Sequence, residues 1–444
     1  MQFYWSRLLI VVPMLALFLL AQGYWFMQMW RLAGRIRRPL LRRVARGSGA
    51  AAFLFVGLLL LINAFLPRRD ILWQYAGVVG IVGLWVTSAF WACFAVQSVA
   101  IAAWVGRQAH RLWAARHRTQ PASLPEPDLA SVPVDFGRRG FLQTATVVAG
   151  ALPFVCGGYG FVIGRRQYQV SEVALPVSGL PPGFDGLRIV QLSDIHIGSY
   201  MSASEVRRIV GMANELGADL AVVTGDFITG AGDPLRDCIG ELSRLRVPLG
   251  VWGCNGNHEI YAGAEGVAAG LFAHHGMHLL RQENVELVRH GQSLNLIGVD
   301  YQRPRDAQDR PLAMLDGLEP LLRRDMPNIL LSHNPNAFPR AAELGVELTL
   351  AGHTHGGQVK VEILEDWVSP ARFLTRYVAG LFQRPTGTTA ELEDEQAWAA
   401  APARPASLLY VNRGLGTIFA PLRLGVPPEI SLFTLRIIFP HWRD

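Results

Sequence analysis

Gly352-His353-Thr354-His355-Gly356-Gly357-Gln358 contains two histidines separated by one residue, directly after a short apolar run. Four earlier segments combine metal-binding residue types in the same way, each after an apolar run. They are Asp194-Ile195-His196, Gly225-Asp226, Gly256-Asn257-His258-Glu259 and Ser332-His333-Asn334. Any one of these segments has the composition of a turn or a helix N-cap. Together they contain enough carboxylate, amide and imidazole groups to predict a site for two metal ions.

The apolar runs around these segments predict the strands of an α/β domain. Their limits are 187–192, 220–224, 249–253, 294–299, 329–332, 348–351, 408–412 and 430–435. Between them, segments 203–216 and 264–275 carry apolar residues at helical spacing. This alternation is typical of an α/β fold. Ligands of such folds bind beyond the carboxyl ends of the strands, where we expect the metal-binding segments to meet.

The five segments, in this order, resemble the calcineurin-like metallophosphoesterases over residues 187–435, which implies a four-layer α/β/β/α sandwich. Three further stretches are similar to a membrane-associated or exported bacterial subgroup of that family. They are Gly356-Gly357-Gln358, Asn412-Arg413-Gly414-Leu415-Gly416 and Pro428-Glu429-Ile430.

The resemblance also implies which residues bind metal. The first of two divalent ions is expected to be held by Asp194, His196, Asp226 and His355. Asp226 bridges to the second ion, whose other ligands are expected to be Asn257, His333 and His353. Mixed nitrogen and oxygen ligands suit Mn, Fe and Zn alike.

The implied activity is hydrolysis of a phosphoric ester, in which a hydroxide bridging the two ions attacks phosphorus in line. His258 adjoins a ligand and is the candidate catalytic residue, which would stabilise the transition state and protonate the leaving oxygen. Glu259 is expected to orient a neighbouring group. Arg413 and Arg423 would either bind the substrate phosphate or order the C-terminal loops, and the sequence leaves both interpretations open.

Phosphoprotein phosphatases of this superfamily carry an Asp-Arg pair shortly after the Gly-Asp segment, whereas this chain has Phe227-Ile228-Thr229-Gly230. We therefore expect a phosphodiester, pyrophosphate or phosphomonoester substrate rather than a phosphoprotein. One alternative is a lipid-specific phosphohydrolase acting on a phospholipid or a nucleotide-linked glycolipid precursor. An alternative of another class is a catalytically silent metal-binding membrane sensor. The presence of His258 argues against it, because a silent domain needs no residue that contacts only substrate.

Half of the 444 residues are hydrophobic, which is high for a wholly soluble protein. Segments 8–30, 47–67 and 71–106 contain no charged residue, and 141–163 is largely apolar. Each reaches the ~20 residues that a membrane-spanning helix needs. These runs predict three spans within residues 1–119, a linker over 120–140, a fourth span or signal anchor over 141–163, and a metallophosphoesterase domain over 167–444. The length of 71–106 leaves the number of spans there open.

Arginine clusters lie in residues 31–46 and 107–139, on the flanks of these runs. By the positive-inside rule both clusters are cytoplasmic, which predicts a bacterial inner-membrane protein with an extracytoplasmic catalytic domain. In this topology Arg68 and Arg69 would lie outside the cytoplasm, which is weaker evidence for the opposite orientation. Gly137-Arg138-Arg139-Gly140-Phe141-Leu142-Gln143 resembles a twin-arginine export signal, although a simple cationic flank explains it equally well. Because the net charge of +6 is concentrated at these flanks, no nucleic-acid binding is expected.

Overall fold

The computed structural model describes residues 2–65, 76–117, 136–302, 314–363, 366–373, 375–386 and 406–438. The chain divides into two compact units. The first comprises Met1–Pro67 and Ile81–Gly158, and the second comprises Arg68–Gly80 and Tyr159–Asp444. Arg68, Arg69 and most of the predicted 120–140 linker lie outside the described residues.

Long apolar helices build the first unit. They are α1 (Gln2–Gly34), α2 (Pro39–Phe65), α3 (Ala76–Arg116) and α4 (Phe136–Val162). Among the described residues, three segments are long and apolar enough to cross a membrane, namely Pro39–Ile62, Gly77–Arg116 and Gly140–Arg166. They overlap the second, third and fourth predicted runs. The first predicted run lies within α1, where several side chains are outside the described set.

Tryptophan side chains join the helices of the first unit. Trp85 donates its indole N–H to Gln22 at 3.0 Å, and Trp25 donates to the carbonyl of Ala89 at 2.8 Å. The ring of Phe154 packs against both indoles, with centroids 5.2 Å and 5.9 Å away. Hydrogen bonds of this kind determine which faces meet in an apolar bundle, because hydrophobicity alone does not distinguish them.

The second unit consists of two large sheets, flanking helices and a hairpin. Its strands are β1 (Gln169–Val177), β2 (Arg188–Leu192), β3 (Leu220–Thr224), β4 (Val251–Cys254), β5 (His278–Leu279), β6 (Glu283–Arg289), β7 (Gln292–Val299), β8 (Asn328–Ser332), β9 (Leu348–Ala351), β10 (Val361–Ile363), β11 (Asp366–Val368), β12 (Gly380–Pro385), β13 (Ala406–Val411) and β14 (Glu429–Ile437). Its α-helices are α5 (Ala203–Glu215), α6 (Leu235–Leu242), α7 (Asn257–Ala262), α8 (Glu265–His274) and α9 (Phe338–Glu343). Short 3₁₀ turns occupy Gly164–Arg166, Pro182–Phe184, Glu319–Leu321, Pro335–Ala337, His355–Gly357 and Pro370–Phe373.

Parallel strands form the centre of each sheet. The first sheet has the order β1-β14-β2-β3-β4-β5, in which β2 to β5 are parallel and β14 is antiparallel to β2. The second has the order β12-β13-β9-β8-β7-β6, in which β13, β9, β8 and β7 are parallel. Strands β12 and β6 close its edges in antiparallel pairing. Parallel strands direct their carboxyl ends to one edge, which is where the predicted site would lie.

Apolar side chains hold the layers together. The inner faces of the two sheets share one core, to which Ile189 and Val222 contribute from the first sheet and Leu296 and Leu350 from the second. Helices α5, α6 and α8 cover the outer face of the first sheet through a separate apolar cluster. Helix α9 and segment 314–322 cover the second sheet. This arrangement is the predicted α/β/β/α sandwich.

Candidate metal centre

The predicted metal ligands lie at the carboxyl ends of central strands in both sheets. Asp194 follows β2, Asp226 follows β3 and Asn257 follows β4 in the first sheet. His333 follows β8, and His353 with His355 follows β9 in the second sheet. The structure thereby brings together side chains that are up to 161 positions apart in the sequence, since 355 − 194 = 161.

In the part of the chain that the structure describes, three groups of side chains offer ligand atoms that all lie within 4.8 Å of one another. They are Asp194 with His196 and His355, Asp226 with His333 and His353, and His196 with Asp226 and His258. The first two groups correspond to the two predicted ion sites. The third contains His258, which the sequence assigns to catalysis rather than to metal binding.

The imidazole nitrogens of the first group face one another and a carboxylate. Nε2 of His196 lies 3.1 Å from Nε2 of His355, and Nε2 of His355 lies 3.4 Å from Oδ1 of Asp194. The two rings stack with their centroids 4.9 Å apart. All three side chains are buried. Converging imidazole and carboxylate groups of this type suit a divalent transition metal.

Asp226 lies between the two groups, as a bridging carboxylate would. Its Oδ2 is 3.6 Å from Nε2 of His196 and 3.1 Å from Nε2 of His333. Its Oδ1 accepts the backbone N–H of His258 at 2.9 Å. The carboxylate is therefore within reach of ligands from both groups, while the backbone of α7 holds it in place.

One buried polar atom at the site, Oδ1 of Asn257, lacks a hydrogen-bond partner among the described residues, and this is the structural test of a metal site. Leaving a buried polar group unsatisfied costs about 1–3 kcal/mol, so native proteins seldom do so without a ligand or water. The amide oxygen of Asn257 is a lone-pair donor predicted to bind the second ion, and the residues present therefore fit a metal centre.

Close backbone approach explains why glycine precedes the ligands in three of the five segments. A Cβ on Gly256 would lie 2.1 Å from Oδ1 of Asp226, and one on Gly352 would lie 2.3 Å from Oδ2 of Asp194. No side chain fits at either distance. The Gly-Asn and Gly-His pairs therefore allow neighbouring strand ends to approach the carboxylates directly.

Electrostatics keep most of the imidazoles neutral. Burial lowers the pKa of His196 to about 3, with a further lowering by His258, and burial likewise lowers the pKa of His353 to about 3. Burial also lowers the pKa of His355 far below its usual value, and the charges of His196 and Arg423 add to the effect. A neutral imidazole is the form that binds metal.

His333 and the two carboxylates behave differently. Burial lowers the pKa of His333, but the charges of Asp226 and Asp194 outweigh burial and raise it to about 10. Burial raises the pKa of Asp194 to about 6. Burial also acts to raise the pKa of Asp226, yet the charges of His333 and His258 lower it well below its usual value. A protonated His333 thus provides the positive charge that bound metal would otherwise supply.

His258 is held by a backbone carbonyl. Its Nδ1 lies 2.7 Å from the carbonyl oxygen of Thr229. A carbonyl only accepts, so Nδ1 carries the proton. Its ring makes an edge contact with His196 at a centroid distance of 4.8 Å. This orientation fits a residue that exchanges a proton beside the ligands.

Glu259 organises the backbone around Asp226. Its carboxylate accepts four N–H bonds, from Gly256, Asp226, Phe227 and Ile228, at 2.8–3.2 Å. Burial raises the pKa of Glu259 to about 7 and Asp226 adds to the rise, whereas the backbone donors act in the opposite direction. The contacts agree with the predicted orienting role.

Arg413 and Arg423 both make internal contacts. Arg413 pairs with Glu429 at 2.8 Å and donates to Ser171. Arg423 is 1% exposed, and its guanidinium donates to the carbonyls of Gly416 and Arg413 at 2.6–3.0 Å. These contacts favour the interpretation that both arginines order the C-terminal loops. Nη2 of Arg423 also lies 3.4 Å from Nδ1 of His355, behind the ligand ring.

Two tyrosines near the site were not predicted from the sequence. The ring of Tyr301 lies 5.5 Å from that of His353, and Tyr261, which is 57% exposed, lies 6.2 Å from both Tyr301 and His258. Tyr301 comes directly after β7 and Asp300. The strand-end rule applied to β7 could have found it, whereas nothing in the sequence around Tyr261 marks it.

Comparisons with known proteins agree with this geometry. The calcineurin-like phosphoesterase family matches residues 187–357. The uncharacterized metallophosphoesterase YkuE of Bacillus subtilis (strain 168) is 30% identical over 308 residues, covering 67% of this chain and 97% of that protein. An uncharacterized metallophosphoesterase of Aquifex aeolicus (strain VF5) is 29% identical over 273 residues, covering 60% of this chain and 92% of that protein.

The name of one vertebrate relative also indicates a membrane region. The "transmembrane protein with metallophosphoesterase domain" of Danio rerio is 30% identical over 308 residues, covering 66% of this chain. The match extends over 62% of the fish protein, so this chain spans less than two thirds of that relative.

Proposed function

The chain belongs to the calcineurin-like metallophosphoesterase family, and we propose on this basis that it is a membrane-anchored phosphoesterase that requires two divalent metal ions. The observation that carries the proposal is that Asp226, which is grouped with His333 and His353, also lies 3.6 Å from Nε2 of His196 in the other ligand group, with His258 beside them. The proposed substrate is a phosphodiester, pyrophosphate or phosphomonoester.

The proposed roles of the ligands follow from their positions. Asp194, His196 and His355 would hold one ion, His333 and His353 with Asn257 would hold the other, and Asp226 would contact both. When bound, two divalent ions acidify a water molecule and neutralise charge on a phosphate oxygen. The nitrogen and oxygen ligands are compatible with Mn, Fe or Zn.

His258 is the proposed acid and transition-state stabiliser. Because Nδ1 donates to the carbonyl of Thr229 at 2.7 Å, the ring is held with one orientation and one tautomer. A protonated Nε2 can donate to the oxygen of the leaving group and balance its charge. General acid–base catalysis of this kind contributes about 10²–10⁴-fold to a rate.

The test uses the full chain reconstituted in lipid nanodiscs, stripped of metal and reloaded with Mn, Fe or Zn. Hydrolysis of bis(p-nitrophenyl) phosphate and p-nitrophenyl phosphate is followed by absorbance. We expect activity only with metal, and His258→Ala should lower kcat by about 10²–10⁴-fold while metal content is retained. The matched control is His274→Ala, which removes an exposed histidine from α8.

Two results would contradict the proposal. Wild-type protein that is inactive with every metal on both substrates would favour the metal-binding sensor. A His258→Ala variant that hydrolyses the substrates at the wild-type rate would contradict the catalytic role assigned to His258.

A further inference from the structure

Phe419 is the most exposed large apolar side chain among the residues that the structure describes, with 79% of its surface accessible. It lies in the segment Gly416–Arg423, here named the 416–423 loop. Large aromatic side chains usually lose most of their surface to water on folding. One exposed phenylalanine carries little information alone, so its neighbours decide whether it belongs to a larger apolar surface.

The loop holds Phe419 in a fixed position. The side-chain amide of Gln358 makes two bonds to Ile418, accepting its N–H at 2.7 Å and donating to its carbonyl at 2.8 Å. Phe419 itself has φ of +60°, a conformation that is rare for a bulky residue. Such conformations are retained where the surroundings impose them, and they often mark functional positions.

The far end of the loop packs against the last turn of α4. The N–H of Arg423 donates to the carbonyl of Gly160 at 3.2 Å. A Cβ on Gly164 would lie 2.0 Å from the carbonyl oxygen of Arg423, so only glycine allows this approach. Phe419 is four residues from Arg423, which limits their separation to about 14 Å along an extended chain.

This last turn is the end of a candidate membrane span. Helix α4 overlaps the apolar segment Gly140–Arg166, which is long enough to cross a bilayer. On the same turn, Tyr159, Val162 and Ile163 are exposed by 46%, 59% and 44%. Arg165 and Arg166 follow directly, and cationic side chains beside a span are suited to the lipid headgroup region.

We propose that Phe419, together with Tyr159, Val162 and Ile163, contacts the lipid bilayer at the boundary between headgroups and acyl chains. The partner is the membrane in which α4 is anchored. Aromatic and aliphatic side chains beside basic residues are the composition that binds this boundary. The contact does not depend on the proposed hydrolase activity.

The same loop also touches the metal-binding segment. The N–H of Gly416 donates to the carbonyl of Asp194 at 2.7 Å, and the N–H of Leu415 donates to the carbonyl of Ser193 at 3.0 Å. A Cβ on Gly416 would lie 2.2 Å from the carbonyl oxygen of Ile195. Contact of Phe419 with lipid would therefore set the distance between the bilayer surface and the ligands Asp194 and His196.

The test is photocrosslinking of the full chain in nanodiscs of phosphatidylcholine and phosphatidylglycerol. Phe419→p-benzoylphenylalanine keeps an aromatic ring at the position and captures whatever lies next to it. The matched control is Val288→p-benzoylphenylalanine, because Val288 is an apolar residue of β6 that is 57% exposed. We expect lipid adducts at position 419 in severalfold excess over position 288, measured by mass spectrometry.

If the substitution at Phe419 prevents folding, a second variant, Ala420→p-benzoylphenylalanine, repeats the measurement at the neighbouring position. Metal content and the thermal unfolding midpoint report whether each variant is folded. Equal lipid labelling at the loop and at Val288 would overturn the proposal. Adducts at the loop only to a second protein, or only to this chain, would overturn it as well.

Discussion

Several proposed metal ligands have a backbone conformation that L-residues seldom adopt. Their φ angles are +50° at Asp194, +50° at His196, +53° at Asp226, +76° at His353 and +52° at His355. Each such residue costs of order 1–3 kcal/mol and persists only where its surroundings impose it. The positive angles turn the chain sharply after a strand, so that side chains from neighbouring strands converge. Asp and His adopt positive φ more often than most residues do, but the composition of Asp-Ile-His or His-Thr-His does not specify these angles.

Residue contacts also explain which parts of the site could be predicted. The proposed ligands and His258 could be predicted from the sequence because polar residues after buried strands form a recognisable order. The hydrogen bond from His258 to the carbonyl of Thr229 and the position of Arg423 behind His355 were not predicted, because they join residues 29 and 68 positions apart. Such contacts depend on the final path of loops, which local sequence does not specify.

A first prediction concerns the proton on His333. Because Asp226 and Asp194 outweigh burial and raise its pKa to about 10, the imidazole is charged in the metal-free protein at neutral pH. Metal binding must displace that proton, so the apparent metal affinity should rise with pH up to about 10. Calorimetry in buffers of different ionisation enthalpy should show release of about one proton per chain near pH 7.

The same shift has a consequence for stability without metal. The folded-state pKa of His333 lies above the ordinary value of 6.5, so its stabilising contribution is complete below pH 6.5. It is lost as pH rises through about 10. His333→Gln should remove both effects, and proton release that persists unchanged in this variant would assign the proton to another group.

A second prediction concerns the carboxylate of Glu259. Its two oxygens accept four backbone N–H bonds, whereas the amide of glutamine would direct two N–H donors toward some of the same groups. Glu259→Gln should destabilise the second unit by about 1–3 kcal/mol and weaken metal binding. Denaturant unfolding and metal titration measure these effects. The control is Glu283→Gln, at an exposed carboxylate of β6, and equal behaviour of both variants would contradict the prediction.

At the scale of elements, the strands that are buried on both faces could be predicted from the sequence. All five residues of β3 and all four of β9 are buried, and continuous apolar runs of this kind stand out in the sequence. Strand β6 could not be predicted because Glu283–Arg289 mixes charged, polar and apolar residues at a sheet edge and buries only one of them. Strand β1 could not be predicted for a similar reason, since its first six residues are all exposed or half-buried.

A third prediction concerns the contact between the end of α4 and the 416–423 loop. Gly164→Ala would place a Cβ 2.0 Å from the carbonyl oxygen of Arg423 and must displace it. Overpacking of this kind costs about 1–3 kcal/mol. Because Arg423 lies behind His355, the displacement should also weaken metal binding.

The matched control for this substitution is Gly158→Ala, one and a half turns earlier, where an added Cβ would meet no atom within 4 Å. Thermal unfolding and metal titration should separate the two variants, with only Gly164→Ala impaired. Unchanged behaviour of Gly164→Ala would mean that the loop adjusts without affecting the ligands.

At the scale of the whole molecule, the arrangement in the membrane stays a prediction. The arginine clusters at 31–46 and 107–139 place both loops in the cytoplasm by the positive-inside rule, which directs the second unit to the opposite side. Alkaline phosphatase fused after Asp444 should therefore be active, and the same reporter fused after Arg116 should be inactive. The reverse pattern would place the metal centre in the cytoplasm.

The route of export is a separate question at this scale. Replacing both Arg138 and Arg139 with lysine keeps the cationic flank but removes the twin-arginine pattern. Loss of reporter activity after Asp444 would support the twin-arginine route, and retention would support a simple positive flank. Charge alone cannot separate these alternatives, because both need basic residues before the same apolar run.

The proposed ligands come from two separate halves of the domain. Asp194, Asp226 and Asn257 belong to the first sheet, and His333, His353 and His355 belong to the second. Bound ions would therefore cross-link the two sheets. Their contribution to the free energy of unfolding would rise with the logarithm of metal concentration. A chain that failed to acquire metal would open more often between its halves and be degraded sooner, so that metal supply would govern the lifetime of the protein as well as its activity.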